Sequence, residues 1–254
     1  VEHFGFRDAE FDAVETYFNN YEIELPSAPM LYPEFHNPLF LKLFCEGIKN
    51  KGMTRIPEGT QGITTILDLF IDGVNVKLSR PKEFDYSDSI NLVKKSLGKL
   101  IQYRLDKGLT YILYEEAVIA VNEVTAPFFN KKGYLEKLIS EGVLSKNIFR
   151  KEDGYVDVVY FAYERFEDHA TCSLLLSEIE NIDQSFEKGN LLYEFIKDDR
   201  SCFRHQGILD ALSIQLPEKY GRELFEFTGD LQEHFVIYGS FLESLLWRKR
   251  ETIN

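Results

Sequence analysis

The chain has 254 residues, of which 44% are hydrophobic, and its formal net charge at pH 7 is −13. That charge argues against a free DNA-binding protein, because neutralising phosphates requires Lys and Arg clustered on one face. Three widely separated cysteines, together with the lack of any apolar run near the roughly 20 residues that span a bilayer, predict a reducing, cytoplasmic location without a membrane partner.

Residues 1–108 are predicted to form a small helical bundle. Hydrophobic periodicity indicates helices over 8–20, from Pro38 onward, over 63–78 and over 88–106. Gly108 is the residue expected to end the fourth helix. Four helices joined by short loops would pack as a compact bundle.

The helix start at Pro38 carries the first candidate site residue. Asn37 can cap this helix, and Pro38 suits the first helical position because its missing N–H and fixed φ cost nothing there. An apolar flank would hold the exposed Pro38 ring at a rigid rim that suits a purine base, and it is formed by Leu39, Phe40, Leu43 and Phe44. The alternative is that this Asn-Pro pair serves only as a helix cap.

Residues 109–168 are predicted to form a winged-helix domain with a short β-hairpin. The predicted elements are helices over 111–124 and 134–141 and hairpin arms over 148–149 and 156–161, joined by a turn at Asp153-Gly154. In DNA-binding winged helices, the second helix presents base-reading side chains to the major groove. Here that helix carries Glu136 and Glu141, whose carboxylates would repel phosphate, so nucleic acid is a disfavoured partner.

Residues 169–254 are predicted to form an α-helical, solenoid-like array. The predicted helices cover 164–181, 186–197, 208–216, 221–228 and 231–249. Short antiparallel helices in succession are typical of solenoids, whose repeats bury their apolar faces only by stacking on neighbours. The residues expected at an apolar end of such an array are Phe235, Phe241, Leu245 and Trp247. The fold class is therefore predicted to be mainly α.

The sequence contains neither a catalytic nor a metal-binding constellation. There is no Gly-x-x-x-x-Gly-Lys-Ser/Thr loop to cradle phosphates, so no complete hydrolytic site is expected. No two histidines lie four residues apart with a shared acidic partner, and no Cys-x-x-Cys pair occurs, so we predict no metal site. Cys202 and His205 could suggest a thiolate and its base, with local helix packing as the alternative.

Two stretches of the sequence share the features of one protein family. The first covers residues 56–78, with Pro57, Gly59, Gly62, Ile63 and Thr64, and the second covers residues 161–169. They resemble the part of an antiviral STAND NTPase, a family similar to the NACHT and NLR immune sensors, that follows the ATPase core. In that family a proline touches adenine, and a winged helix closes over the phosphates through the histidine of a Phe-x-His-x-x-Phe pattern. The equivalent positions here are Phe161, Tyr163 and Phe166, so tyrosine replaces the histidine.

The resemblance implies three nucleotide-binding residues. Pro38 would contact adenine, and Tyr163 or Arg165 would sense phosphate. The Arg165 guanidinium could pair with phosphate oxygens in a bidentate manner. The alternative partners for this arginine are the neighbouring carboxylates of Glu164, Glu167 and Asp168. ATP or ADP would bind only together with an ATPase core that these residues do not include.

By the same likeness, the chain would be the regulatory, nucleotide-closing segment of an NTPase in prokaryotic antiphage defence. Its partners would be an upstream ATPase core and a downstream sensor of a larger, ATP-hydrolysing chain, which could oligomerise. These residues would act as a two-state latch that packs against the nucleotide or swings away from it. The alternatives are a winged-helix regulator that binds nucleic acid and a helical adaptor for protein partners.

Overall fold

The computed structural model describes residues 5–6, 9–25, 33–56, 63–151, 154–231 and 233–253. Among these residues, the chain forms twelve α-helices and one three-stranded antiparallel sheet, so the predicted mainly α class is confirmed. The chain divides into two compact units, the first comprising Val1–Pro57 and Ile66–Glu164 and the second comprising Glu58–Thr65 and Arg165–Asn254. Over the described ranges, no helix is both long and apolar enough to cross a membrane.

Four helices precede the sheet, as predicted. They are α1 (Glu10–Tyr21), α2 (Pro38–Asn50), α3 (Ile63–Ser79), which lies in the first unit from Ile66 onward, and α4 (Leu92–Lys107). The predicted start of the last helix was early, because Asp88–Ile90 forms a separate 3-10 turn. Asn91 then caps α4 by accepting a hydrogen bond from the Lys94 amide at 3.1 Å. Gly108 ends α4 with a φ of 62°, as expected.

Helix α2 lies at the centre of the first unit's aromatic core. The Phe44 ring is 5.9 Å from the Phe18 ring of α1 and 5.2 Å from the Phe35 ring. A Cβ added at Gly47 would lie 3.0 Å from the Phe70 Cα and amide nitrogen, so α2 and α3 approach each other closely at this glycine. The start of α2 is thereby fixed by packing against its neighbours as well as by its own cap.

The sheet follows α4 in the chain. It is built from β1 (Ile112–Leu113), β2 (Leu144–Lys151) and β3 (Gly154–Phe161), in the order β1-β3-β2, with α5 (Tyr114–Thr125) and α6 (Tyr134–Ser140) between the first two strands. Ile112 pairs with Val159, so the start of the helix predicted over 111–124 is wrong, and a strand too short to show periodicity stands there. The predicted hairpin is confirmed, with Leu144 opposite Phe161 and Lys151 opposite Gly154. Asp153 of the predicted turn lies outside the described residues.

The second unit is helical throughout the part of it that the structure describes. Its helices are α7 (Glu164–Glu178, from Arg165 onward), α8 (Ile182–Ser185), α9 (Leu191–Ile196), α10 (Asp199–Arg204), α11 (Gln206–Tyr220) and α12 (Phe235–Trp247). Helix α11 continues past Pro217, where a stop was predicted, because the residues from Leu209 to Pro217, apart from Asp210, are buried and this packing outweighs the lost hydrogen bond. The predicted helix over 221–228 is instead a 3-10 turn at Leu224–Phe227.

Candidate functional site

The start of α2 has the geometry that its sequence predicts. The Asn37 side-chain oxygen accepts hydrogen bonds from the Leu39 amide at 2.9 Å and from the Phe40 amide at 3.3 Å. Pro38 occupies the first turn, where its ring is half-buried and its backbone is held by the cap. Phe40 and Phe44 are buried, as expected for the flank that supports this ring. The cap and the buried aromatic residues next to Pro38 are therefore present in the first unit, and the contact of Pro38 with a base stays a prediction.

Tyr163 lies beside this helix start. It follows β3 directly, and its ring centroid is 5.8 Å from that of Phe40, with an angle of 51° between the ring planes. Both Pro38 and Tyr163 are half-buried. Two of the three predicted nucleotide-binding residues, far apart in the sequence, thus belong to neighbouring segments of the first unit, with Phe40 as the contact between these segments.

The chemistry of this region suits the base and a polar oxygen of a nucleotide. A fixed pyrrolidine ring offers a flat apolar surface, and a phenol hydroxyl can donate a hydrogen bond to phosphate or accept one. Tyrosine has no positive charge at neutral pH, so its bond to phosphate would be worth less than the one that a protonated histidine makes. Residues 57–62, which include the Pro57, Gly59 and Gly62 of the family likeness, lie outside the described residues.

Arg165 belongs to the second unit, where its guanidinium is engaged. Its Nη1 donates a hydrogen bond to a Glu243 carboxylate oxygen at 2.7 Å, and the guanidinium lies 5.1 Å from the centroid of the Trp247 ring. The Arg165 side chain is 23% exposed. One partner of this arginine is therefore a glutamate on α12, far away in the sequence.

A set of ionisable side chains surrounds this ion pair on α7, α11 and α12. The Ser240 hydroxyl donates a hydrogen bond to an Asp210 carboxylate oxygen at 2.5 Å. Burial, with a smaller contribution from the nearby Glu243 carboxylate, raises the pKa of Asp210 to about 6, against the opposing effects of Ser240 and Arg165. Burial and the charge of Arg165 lower the pKa of His169 to about 3, so this histidine is neutral at physiological pH.

Sequence reasoning missed Asp210, Ser240 and Glu243. A signal was available, because Asp210 is the single charged residue in the apolar stretch 207–216 and Glu243 is the single charged residue of α12. A lone carboxylate within an apolar helix is expected to have a specific partner, since an unpaired buried charge is costly. Identifying that partner from the sequence would have required knowing how the helices pack.

The thiols do not have the environment of catalytic nucleophiles. Cys45, Cys172 and Cys202 are free and buried. Burial raises the pKa of Cys202, whereas a reactive thiolate needs a lowered pKa, and the nearby His205 ring packs against Phe195 at 4.9 Å. We therefore attribute Cys202 and His205 to local helix packing and not to a thiolate and its base. Within the described ranges, no group of three or more His, Cys, Asp or Glu residues is placed to share a metal ion.

Helix α6 would read DNA in a winged helix, but its charged residues and Glu141, which directly follows it, are paired within the first unit. Lys137 forms an ion pair with Glu83 at 3.0 Å, and Glu141 forms one with Lys77 at 2.6 Å. The Glu136 carboxylate accepts a hydrogen bond from the Tyr114 hydroxyl. A basic side chain already held by a carboxylate is a poor ligand for phosphate, so α6 does not have the character of a nucleic-acid interface.

Comparisons of the chain with protein-family models, with curated proteins and with solved structures find no match.

Proposed function

We propose that this chain is the regulatory segment that closes over the nucleotide of a STAND-type NTPase in prokaryotic antiphage defence. It would act as a conformational latch, and the catalytic groups would belong to an upstream ATPase core. One observation carries the proposal: the capped start of α2 and the end of the hairpin meet where the Phe40 and Tyr163 rings lie 5.8 Å apart. By the family resemblance, the start of α2 would supply the adenine contact, and the segment after the hairpin would supply a phosphate contact.

The order of elements in the first unit supports the winged-helix part of the proposal. Helix α4, strand β1, helices α5 and α6 and the hairpin of β2 and β3 follow one another, and β3 lies between β1 and β2. A helix-turn-helix that leads into a hairpin, with a third short strand on its edge, is the arrangement expected of such a domain. Tyr163 comes just after this hairpin, in the position from which a closing domain could reach a nucleotide.

Three residues would contact the adenine nucleotide in this proposal. Pro38 and Tyr163 would hold the base and a phosphate oxygen, respectively, because each is half-buried on a supported element. Arg165 would reach phosphate in this proposal by exchanging the Glu243 carboxylate for phosphate oxygens. That exchange would give the latch two states, with Glu243 as the partner of Arg165 in the state described here.

The proposal is tested by ATP binding to the chain joined to its ATPase core. Tyr163→Phe removes one hydrogen bond to phosphate and Pro38→Ala removes the adenine contact, and each should weaken ATP binding about three- to tenfold. Matched controls are Tyr155→Phe on the exposed hairpin and Pro127→Ala in an exposed turn, which should leave the affinity unchanged.

Two results would contradict the proposal. One is unchanged ATP affinity in both Tyr163→Phe and Pro38→Ala when the folded state is intact by circular dichroism. The other is submicromolar ATP binding, measured by calorimetry, to the 254-residue chain alone, because the main phosphate ligands are assigned to the missing core.

A second role, as a helical module for protein contacts, is favoured by the surface of α12. Helix α12 presents large apolar side chains to solvent, Phe235 at 62% exposure among them. Exposed apolar surface of this extent on a single helix marks a place where another molecule packs.

A further inference from the structure

The exposed side of α12 is apolar along its whole length. Phe235, Tyr238, Leu242 and Leu246 are 62%, 57%, 47% and 59% exposed. Their spacing of three or four residues places all four on one side of the helix. Gly239 lies among them, and a Cβ added there would meet no atom within 4 Å. The stripe is therefore open to solvent, with a shallow position near its middle.

The opposite side of α12 is already used by the second unit. Val236, Ile237, Ser240, Ser244 and Trp247 are buried. Glu243, the single charge of the helix, is paired with Arg165 at 2.7 Å. A helix that is apolar on both sides is normally buried on both sides, whereas α12 is covered on one.

The ring of Phe203 on α10 extends the exposed stripe. It is 52% exposed, and its centroid lies 4.8 Å from that of Phe235. We call the surface formed by Phe203, Phe235, Tyr238, Gly239, Leu242 and Leu246 the α12 face. It belongs entirely to the second unit.

We propose that the α12 face is a self-association surface, on which α12 of a second copy of this chain packs antiparallel. The inference is independent of the nucleotide proposal, because it rests on a different unit and on different residues. A two-fold interface uses the same patch on both copies, so the patch has to be complementary to itself.

The side-chain sizes along the stripe make it complementary to itself in an antiparallel arrangement. With the two-fold axis beside residues 240 and 241, Phe235 lies opposite the partner's Leu246, and Leu242 lies opposite the partner's Gly239. A large side chain thus faces the one open position of the helix, which lets the two backbones approach each other. The aromatic end of one helix covers the leucine end of the other.

The charges on the α12 face are also compatible with a patch that is complementary to itself. Two copies that each carry a net charge of −13 repel each other at long range, so an interface between them has to avoid like charges at close range. The α12 face carries no Asp, Glu, Lys or Arg side chain at any of its six positions. Glu243, at its border, is neutralised by Arg165.

The area is adequate for a small homodimer. With roughly 150–200 Å² for a whole side chain of this size, the exposed fractions leave on the order of 500 Å² of apolar surface on each copy. A standard interface buries about 800 Å² per partner, of which about 65% is apolar in homodimers. The α12 face therefore supplies about the apolar share of one such interface.

The test uses sedimentation equilibrium of the whole chain and two opposite charges at one position. Leu242→Glu and Leu242→Lys each place like charges close to the two-fold axis, so each variant alone should dimerise at least about tenfold more weakly than the wild type. An equimolar mixture of the two variants should dimerise again, because the charges then attract. Ile119→Glu, a charge at a 60% exposed position of α5, is the matched control and should dimerise like the wild type.

Three outcomes would overturn the inference. The wild type could remain a monomer up to about 200 μM, well above the micromolar range in which small interfaces associate. The Leu242 variants could dimerise as well as the wild type. The mixture could remain monomeric while the wild type dimerises. If the wild type remains a monomer, the α12 face would instead bind a different protein.

Discussion

At the scale of single residues, the second unit is defined by carboxylates placed in apolar helices. The largely buried Asp210 would be costly there without a partner, and Ser240 supplies one at 2.5 Å. The more exposed Glu243 accepts a hydrogen bond from Arg165 at 2.7 Å. The stacking of Arg165 on Trp247 adds a cation–π contact. The same burial that demands these partners shifts the pKa values of Asp210 and His169 in opposite directions.

The two shifts have opposite consequences for stability. The pKa of Asp210 is raised from 3.8 to about 6, so its contribution is present below about pH 4 and is lost as the pH rises through 6. The pKa of His169 is lowered from 6.5 to about 3, so its contribution is present above pH 6.5 and is lost as the pH falls towards 3. Between pH 4 and 6 the two slopes oppose each other.

Asp210→Asn should remove the slope that comes from Asp210, so the difference between variant and wild type reports that slope. The free energy of unfolding of the variant, relative to the wild type, should rise by up to about 3 kcal/mol as the pH increases from about 4 to 7. Urea unfolding followed by the fluorescence of Trp247, the single tryptophan, which is buried in the second unit, measures this difference. Asp230→Asn, at an exposed position, is the control, and a difference that stays constant over this pH range would contradict the assignment.

At the scale of elements, local sequence signals determine where a helix begins, and packing determines where it lies in its unit. Helix α2 begins where its cap and its proline both indicate. Its place in the first unit depends on the close approach to α3 at Gly47, which no local signal reveals. The stability of this element therefore depends on a contact with a neighbour as well as on its sequence.

Gly47→Ala should destabilise the first unit by about 1–3 kcal/mol, because its Cβ would meet the Phe70 backbone at 3.0 Å and backbone atoms cannot easily move aside. Gly239→Ala is the matched substitution, in a helix with open space around it, and it should stabilise α12 by about 0.5–1 kcal/mol in dilute solution. Hydrogen exchange of peptides from α2 and α12 separates the two effects. Equal signs for the two substitutions would show that helix propensity, not crowding, decides both.

Much of the secondary structure could be predicted from the sequence, and the errors have physical causes. The hairpin and the long amphipathic helices have a clear period, whereas strand β1 is two residues long and owes its conformation to pairing with β3. Pro217 was expected to stop a helix that continues to Tyr220, because the packing of the residues up to Pro217 holds the helix together. Trp247, expected at an exposed apolar end, is buried, while Phe235 from the same prediction is exposed.

At the scale of the whole molecule, the chain is two compact units with different characters. The first unit contains the capped helix start and the hairpin that supply Pro38 and Tyr163. The second contains the ionic cluster around Arg165 and the α12 face. The division into regions 1–108, 109–168 and 169–254 remains a prediction.

The candidate site could be predicted only in part. Pro38 has a local signature, whereas the contact of Tyr163 with Phe40 joins residues far apart in the sequence and depends on the fold of the unit. The ion pair of Arg165 spans 78 residues, so the sequence offered nearer carboxylates first. The sequence thus predicts which residues are candidates, whereas the contacts of these residues depend on the tertiary structure.

In the proposed function, the start of α2 and the segment around Tyr163 contact the nucleotide together. The most direct measurement is amide hydrogen exchange of the chain joined to its ATPase core, with and without ATP. Slower exchange with ATP is predicted both in peptides over residues 38–44 and in peptides over residues 161–166, with no change at the exposed hairpin residue Tyr155. Slower exchange confined to the ATPase core, with both of these segments unchanged, would contradict the account.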